Sequence, residues 1–278
     1  MPRGQRSVIK TVPAPALAAE IVRAARRPNA ARALVLDLDG TLAPIAPRPK
    51  DAEVPAVVLK TLERLLANGW RVAVVSGRPL VQARRMVPVP GVTVFGSHGI
   101  ERGEPFPASR ALRALSLRSE RIARQARGFV RGFPGVLLER KPYGCAFHHR
   151  ALAAATRPRF LRRLAVWLAE RDTRGLEVLD GRCVVELRPA GLGKGLVARR
   201  WPAARSAVPG DRSLVAIGDD RTDEDLFAAF EDRGITVSVG SKRSRTIARR
   251  RLPGTAAVAR LLTALAETGH LERRDVRG

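Results

Sequence analysis

Two aspartates stand one residue apart in "LVLDLDGTLAP", where a hydrophobic run hands over to glycine and threonine. Asp37 and Asp39 carry like charges, so keeping them together needs compensation. Taken alone, D-x-D satisfies local backbone donors and commonly makes a turn or helix cap. Three more groups follow hydrophobic runs or glycines: Ser76-Gly77-Arg78 after "WRVAVV", Lys194 inside "AGLGKG", and Gly218-Asp219-Asp220 after "SLVAI". Singly these too have plain readings. Ser-Gly is ordinary turn chemistry, a lone lysine is usually solvated, and Asp219-Asp220 can cap the helix predicted in "TDEDLFAAF". What those readings leave unexplained is why carboxylates, a hydroxyl and an ammonium all fall at ends of strands of one sheet. A divalent cation with a phosphate accounts for the set. Mg²⁺ takes oxygen ligands, is held by one or two carboxylates, and leaves positions for water and a substrate phosphate. It would cancel the repulsion around Asp37, while Ser76 and Lys194 grip the remaining phosphoryl oxygens.

The elements that must position these groups are legible in the hydrophobic periodicity. "ARALVLDLD" reads as a short strand buried on both faces, the parallel-sheet kind. "VPAVVLKTLERLLANG" has helical spacing and Gly69 to end it. "WRVAVVSGRP" is a second buried strand, "LVQARRMVP" a short helix, and "GVTVFGSHG" a third strand. Strands alternating with helices predict a doubly wound, Rossmann-like parallel sheet, in which ligands collect at the carboxyl ends of strands. From about residue 109 the pattern changes to a long Arg-rich helix, two strand-like runs in "GVLLERKPYGCAFHHR", another helix, and a hairpin in "LEVLDGRCVVELRP" turning on Asp180-Gly181. The parallel-sheet pattern resumes at "SLVAIGDD" and closes with "GITVSVG" and "AAVARLLTALAE". The fold class expected is therefore α/β: a basic N-terminal extension over 1–32 with little order, a core over 33–106 and 188–278, and an inserted α+β cap domain over 107–187.

Composition bounds the rest. The 278 residues carry a formal charge of +25, which suits a polyanion held by counterion release. The arginines are spread along the whole chain, however, and are not interleaved with aromatic stacking platforms of the kind single-strand binders use. Nucleic acid is thus not expected as a partner, although "SKRSRTIARRR" at 241–251 is the densest basic run. Two cysteines are too few for a disulfide framework and read as small buried apolar residues. No apolar stretch reaches the ~20 residues of a membrane span, and the broken apolar segment near the N-terminus is not read as a signal peptide. A cytoplasmic monomer is the expectation.

"DLDGTL", with the later Ser, Lys and "GDD", resembles the haloacid dehalogenase superfamily of phosphatases. In order, "DLDGTLAPI", "SGRP", "GSHGIE", "LERKPYGCAFHHR", "VVELRPAGLGKG" and "IGDDRTDEDLF" are similar to the trehalose-6-phosphate phosphatases, over about residues 33–265. Leu38 stands where that family often has an aromatic. The resemblance implies hydrolysis of trehalose 6-phosphate, with Asp37 as nucleophile and Asp39 as general acid and then base. It also implies Mg²⁺ on the Asp37 carboxylate, the Asp39 carbonyl and Asp219, supported by Asp220 and Asp223. Ser76, Thr41 and Lys194 would donate to phosphoryl oxygens, with Arg78 among the substrate contacts. In the cap, Glu139 and Lys141 share one face of a strand because they are two residues apart. Paired Glu and Lys on strands are commonly surface salt bridges; the resemblance assigns them, with Glu186, His148 and Arg150, to the sugar. The cap is expected to close over the site and exclude water, with hinges near 102–108 and 187–191. His98 is left open between a site-facing role and a core-edge turn. Other capped sugar phosphatases, acting on sucrose phosphate or a mannosyl phosphate, share most of this pattern. A basic nucleic-acid-binding protein is the alternative from another class.

Overall fold

The computed structural model describes residues 9–103, 110–181, 183–205, 209–240 and 246–274. Two compact units result, one made of Met1–Gly103 with Gly193–Gly278 and the other of Glu104–Leu192.

In chain order the first stretch of the larger unit contains β1 (Lys10–Thr11), α1 (Ala14–Ala25), β2 (Ala33–Asp37), α2 (Ala56–Ala67), β3 (Arg71–Val75), α3 (Leu80–Met86), β4 (Thr93–Gly96) and β5 (Glu101–Arg102). The smaller unit follows with α4 (Arg110–Arg131), β6 (Leu137–Lys141), β7 (Gly144–His148), α5 (Arg157–Ala169), β8 (Leu176–Gly181) and β9 (Val184–Pro189). The larger unit resumes with α6 (Leu196–Arg200), α7 (Pro202–Arg205), β10 (Leu214–Gly218), α8 (Glu224–Phe230), β11 (Ile235–Val239), β12 (Arg250–Leu252) and α9 (Thr255–Arg274).

The larger unit is built on an eight-stranded sheet of order β1-β12-β11-β10-β2-β3-β4-β5, parallel except for the β4–β5 pair. Alternation decides its two layers, because successive side chains of a strand point to opposite faces. Leu34 and Leu36 of β2 join Val72 and Val74 under α1, α2 and α9, whereas Ala33 and Val35 join Ala73 and Val75 under α6, α7 and α8. Within α2, Val58, Leu62 and Leu65 recur at helical spacing and are buried. Gly69 ends that helix with φ 80°, a left-handed turn that glycine enters without steric cost.

The N-terminal segment departs from expectation. Helix α1 is ordered and belongs to the core, with Leu17, Ala18 and Ile21 buried among Leu261, Leu262 and Leu265 of α9. Residues spaced like Leu17, Ile21 and Ala25 line one helix face, and α9 covers it; prolines and arginines around that face had obscured it.

In the smaller unit an antiparallel sheet of order β6-β7-β9-β8 carries α4 and α5, whose Ile122, Ala126, Phe160 and Leu164 pack with Phe147 and Leu187. Its second hairpin turns later than expected. Gly181 pairs with Val184, so Asp180 and Gly181 lie inside β8 and the turn falls beyond them. With the turn beyond Gly181 the ladder runs from Leu176–Pro189 to Gly181–Val184, and that cross-strand pairing outweighs local Asp-Gly preference. Cys183 takes the left-handed conformation there, with φ 62°, and is half-buried, whereas Cys145 is fully buried as expected. Pro105 and Pro107 of the first expected hinge, and residues 241–245 of the basic run, lie outside the described residues. No described helix is long and apolar enough to cross a membrane.

Candidate active site

Asp37 is the last residue of β2, and the chain then turns tightly: Leu42 and Ala43 donate to the Leu38 carbonyl, and Gly40 to that of Ala43 at 2.7 Å. Gly40 is needed at this turn for two reasons. Its φ is 85°, and a Cβ there would stand 2.2 Å from Asp219 Oδ2. Asp219 follows directly on β10. Gly218 before it leaves room in the same way for Asp223, whose Cγ would lie 2.2 Å from an added Cβ. Two glycines thus let two carboxylates press against backbone.

Asp37, Asp219 and Asp223 bring carboxylate oxygens within 4.8 Å of one another. Lys194, in the loop before α6, is the cation among them. Its Nζ donates to Asp37 Oδ1 at 2.5 Å and to Asp223 Oδ1 at 2.8 Å. Burial opposes charge on this lysine, but Asp223 and Asp37 outweigh it and hold its pKa above the usual lysine range. Asp223 is wholly buried and also accepts from the backbone N–H groups of Asp219 and Asp220, each at 3.0 Å. Burial, then the nearby Asp223 charge, pushes Asp37 well up and Asp219 to about 7. Negative charge is in excess here, and one ammonium does not balance it.

The residue types and their environment suit a hard divalent cation. Asp219 Oδ1 and Thr41 Oγ1 are buried without a hydrogen-bond partner, and a buried oxygen of that kind carries a desolvation cost that a ligand relieves. Asp223 stands in the carboxylate group itself rather than behind it. Asp220 plays a structural part: its side chain accepts from Arg221 N at 2.7 Å and forms a capping box with Asp223.

Beside this group, Asp39 and Arg78 form a two-pronged pair, with Nε to Oδ2 at 2.7 Å and Nη2 to Oδ1 at 2.6 Å. Arg78 Nη2 also donates to the Pro49 carbonyl at 2.7 Å. Arg78, expected as a substrate contact, is therefore placed on the Asp39 carboxylate; such a fork fixes orientation as well as charge. Ser76 is buried at the end of β3, and its Oγ accepts from Arg78 N at 3.1 Å, which leaves the hydroxyl proton to donate elsewhere.

In the smaller unit, the strand registers align Glu139 with Ala146 and Ala146 with Glu186. Lys141 Nζ donates to Glu186 Oε1 at 2.5 Å, and His148 Nε2 lies 2.8 Å from Glu139 Oε2. Burial would raise the pKa of Glu139, but the His148 hydrogen bond and the Lys141 charge overcome it, and the net shift is downward. Arg150 is exposed just beyond β7. One further pair was not singled out from the sequence: Arg188 Nε donates to Glu177 Oε1 at 2.8 Å. Its signal was available, since Arg188 lies two residues from Glu186 and so shares its face.

The trehalose-phosphatase family model matches residues 35–256. The chain belongs to the trehalose-phosphatase family. Its relatives include the trehalose-phosphate phosphatase of Mycobacterium marinum, 36% identical over 220 residues, which cover 74% of this chain and 53% of that protein. The chain thus spans about half the length of the curated relatives it matches. Among solved structures, a trehalose-6-phosphate phosphatase related protein superposes with a TM-score of 0.70 at 26% identity, covering 86% of this chain and 99% of that one. The C-terminal domain of the C. albicans trehalose-6-phosphate phosphatase gives 0.77 at 20% identity over 95% and 99%, a likeness of fold. In this chain the motifs that signalled the family coincide with the strand ends and loops that carry Asp37, Ser76, Lys194 and Asp219.

Proposed function

We propose that this chain is an Mg²⁺-dependent phosphatase that hydrolyses trehalose 6-phosphate to trehalose and phosphate through an aspartyl-phosphate, the closing step of trehalose synthesis. The observation that carries the reading is the group of buried Asp37 and Asp223 with half-buried Asp219 beside Lys194, its oxygens within 4.8 Å of one another. Family membership supports the substrate. The three carboxylates, with the Asp39 carbonyl, would hold Mg²⁺, and the ion when bound supplies positive charge for phosphoryl oxygens.

The residues of the chain then have distinct tasks. Lys194 holds one Asp37 oxygen, leaving the other to form a bond to phosphorus as the sugar–oxygen bond to phosphorus breaks. Asp39 gives its proton to the departing sugar oxygen. In the second step it takes a proton from water as the water oxygen bonds to phosphorus and the Asp37–phosphorus bond breaks. The Arg78 fork holds Asp39 as the carboxylate that the second transfer needs, and the first transfer requires one prong of it to release. Ser76 and Thr41 donate to phosphoryl oxygens where charge accumulates, since phosphoryl transfer relies chiefly on positioning and charge neutralisation. Glu139, Lys141, His148, Glu186 and Arg150 supply donors and acceptors for sugar hydroxyls.

The test is phosphate release from trehalose 6-phosphate in Mg²⁺, with glucose 6-phosphate, sucrose 6-phosphate and a mannosyl phosphate alongside, and again after EDTA. Selective turnover that EDTA abolishes and Mg²⁺ restores is expected. Equal turnover of the other sugars would refute the trehalose assignment, and turnover indifferent to EDTA would refute the metal.

A further inference from the structure

The loop Ser97–Glu101 after β4 contributes nothing to the acidic group, yet its backbone is strained. Ser97 and His98 take φ of 46° and 57° in succession, and both are buried. Non-glycine residues persist in the left-handed region where their surroundings over-determine it. Here the surroundings are the turn that carries Ser76. Ser97 N donates to the Arg78 carbonyl at 2.7 Å, and His98 N to the Ser76 carbonyl at 2.9 Å. Consecutive left-handed residues turn two successive N–H groups toward one side, and both are used on that turn.

Further contacts lock the loop. Glu101 Oε2 accepts from Ser97 Oγ at 2.9 Å and from Leu80 N at 2.8 Å. The imidazole of His98 lies against Gly77, where a Cβ would stand 2.7 Å from Cε1 and 2.9 Å from Nε2. From the opposite direction Arg200, at the end of α6, donates to the Gly99 and Ile100 carbonyls, the latter at 2.6 Å. Gly99 also approaches Leu196, which opens α6 two residues after Lys194; a Cβ at Gly99 would lie 3.4 Å from the Leu196 Cβ. One side of the loop therefore grips the Ser76–Arg78 turn, and the other grips the helix that follows Lys194.

We propose that the Ser97–Glu101 loop, with His98 wedged on Gly77, is a positioning element that sets Ser76 and the Arg78–Asp39 pair against Lys194. The inference rests on the phosphatase reading above. His98 acts through the turn and touches no reacting atom. Displacing the wedge lets the turn relax, and a shift of about 1 Å at a reacting group is enough to cost ~10²-fold in rate. The loss should be uneven between substrates. A sugar oxygen needs the proton that Asp39 supplies, whereas p-nitrophenolate leaves without one.

The experiment compares His98→Ala, His98→Asn and Gly77→Ala with the wild type, using kcat/KM for trehalose 6-phosphate and for p-nitrophenyl phosphate, with Tm measured throughout. For His98→Ala a fall of about 30-fold is expected on the sugar phosphate and about 3-fold on the aryl phosphate, with little change in Tm. Gly77→Ala pushes the ring away and should show the same split. Asparagine tolerates the left-handed conformation, so His98→Asn should recover part of the sugar activity. Equal losses on both substrates, losses that merely follow Tm, or unchanged rates would overturn the positioning role. A wild type inactive on both phosphates would overturn the functional reading and this inference with it. A wild type active on the aryl phosphate and on another sugar phosphate overturns only the trehalose assignment, and the split is then read on that sugar.

Discussion

At the strand ends of the larger unit three carboxylates share one ammonium, whereas on the sheet of the smaller unit Glu139 faces His148 and Glu186 faces Lys141. Both groups are at least half-buried, but the charge balance differs. Like charges taken out of water repel strongly and raise one another's pKa, as Asp37 and Asp219 show. Matched pairs lower the cost of each partner, as Glu139 shows. An unbalanced acidic group recruits a cation. A paired one presents donors and acceptors already turned toward each other, which suits uncharged hydroxyls.

The comparison breaks most sharply at Asp37. Asp37→Asn should lower phosphate release by about 10³-fold or more, because a nucleophile has no substitute, while circular dichroism and Tm remain close to wild type. Near-normal turnover by that variant would remove the nucleophile. Next in size is Lys194→Met. It strips buried Asp37 and Asp223 of their ammonium, and breaking a buried pair from one side costs about 3–5 kcal/mol. Urea denaturation without metal should show that loss, with Asp223→Asn in the same chain restoring part of it. An additive double variant would mean the two groups do not interact.

Changes in the smaller unit should be milder and selective. Glu139→Ala or Lys141→Ala is expected to lower kcat/KM for trehalose 6-phosphate by about 10- to 100-fold, the range for an unpaired polar contact, and to leave p-nitrophenyl phosphate unaffected. Losses of the same size on both substrates would take the sugar role away from these residues.

The smallest effect concerns pH. Burial and the Asp223 charge push Asp219 up to about 7 in the folded protein, against ~3.9 when unfolded. Between those values the folded state binds the proton more tightly, so metal-free stability is greatest below the window and declines as pH rises through it. Asp37 acts in the same direction. Mg²⁺ removes the reason for the decline and should raise Tm by a few degrees more at pH 8 than at pH 5. An equal Mg²⁺ shift at both pH values would detach the cation from these carboxylates.

Much of the architecture was legible because short-range rules govern it. Continuous apolar runs marked β2, β3 and β10 as strands buried on both faces, and glycine marked the end of α2. Where two rules competed, the longer-range one prevailed: Asp180-Gly181 has strong turn chemistry, but the ladder between β8 and β9 keeps both residues inside β8. The same holds for α1, whose apolar face reads as meaningful only once α9 lies on it.

By itself the sequence determined which groups are available: carboxylates, a hydroxyl and a lysine, each placed just after a strand or between glycines. Tertiary structure alone decided who partners whom. It joined Lys194 to Asp37 across 157 residues, drew Asp223 into the carboxylate group, and turned Arg78 onto Asp39. The physical reason is range. Periodicity and turn chemistry act over a few residues, while Coulomb and hydrogen-bond energies depend on separations that exist only after the chain has folded.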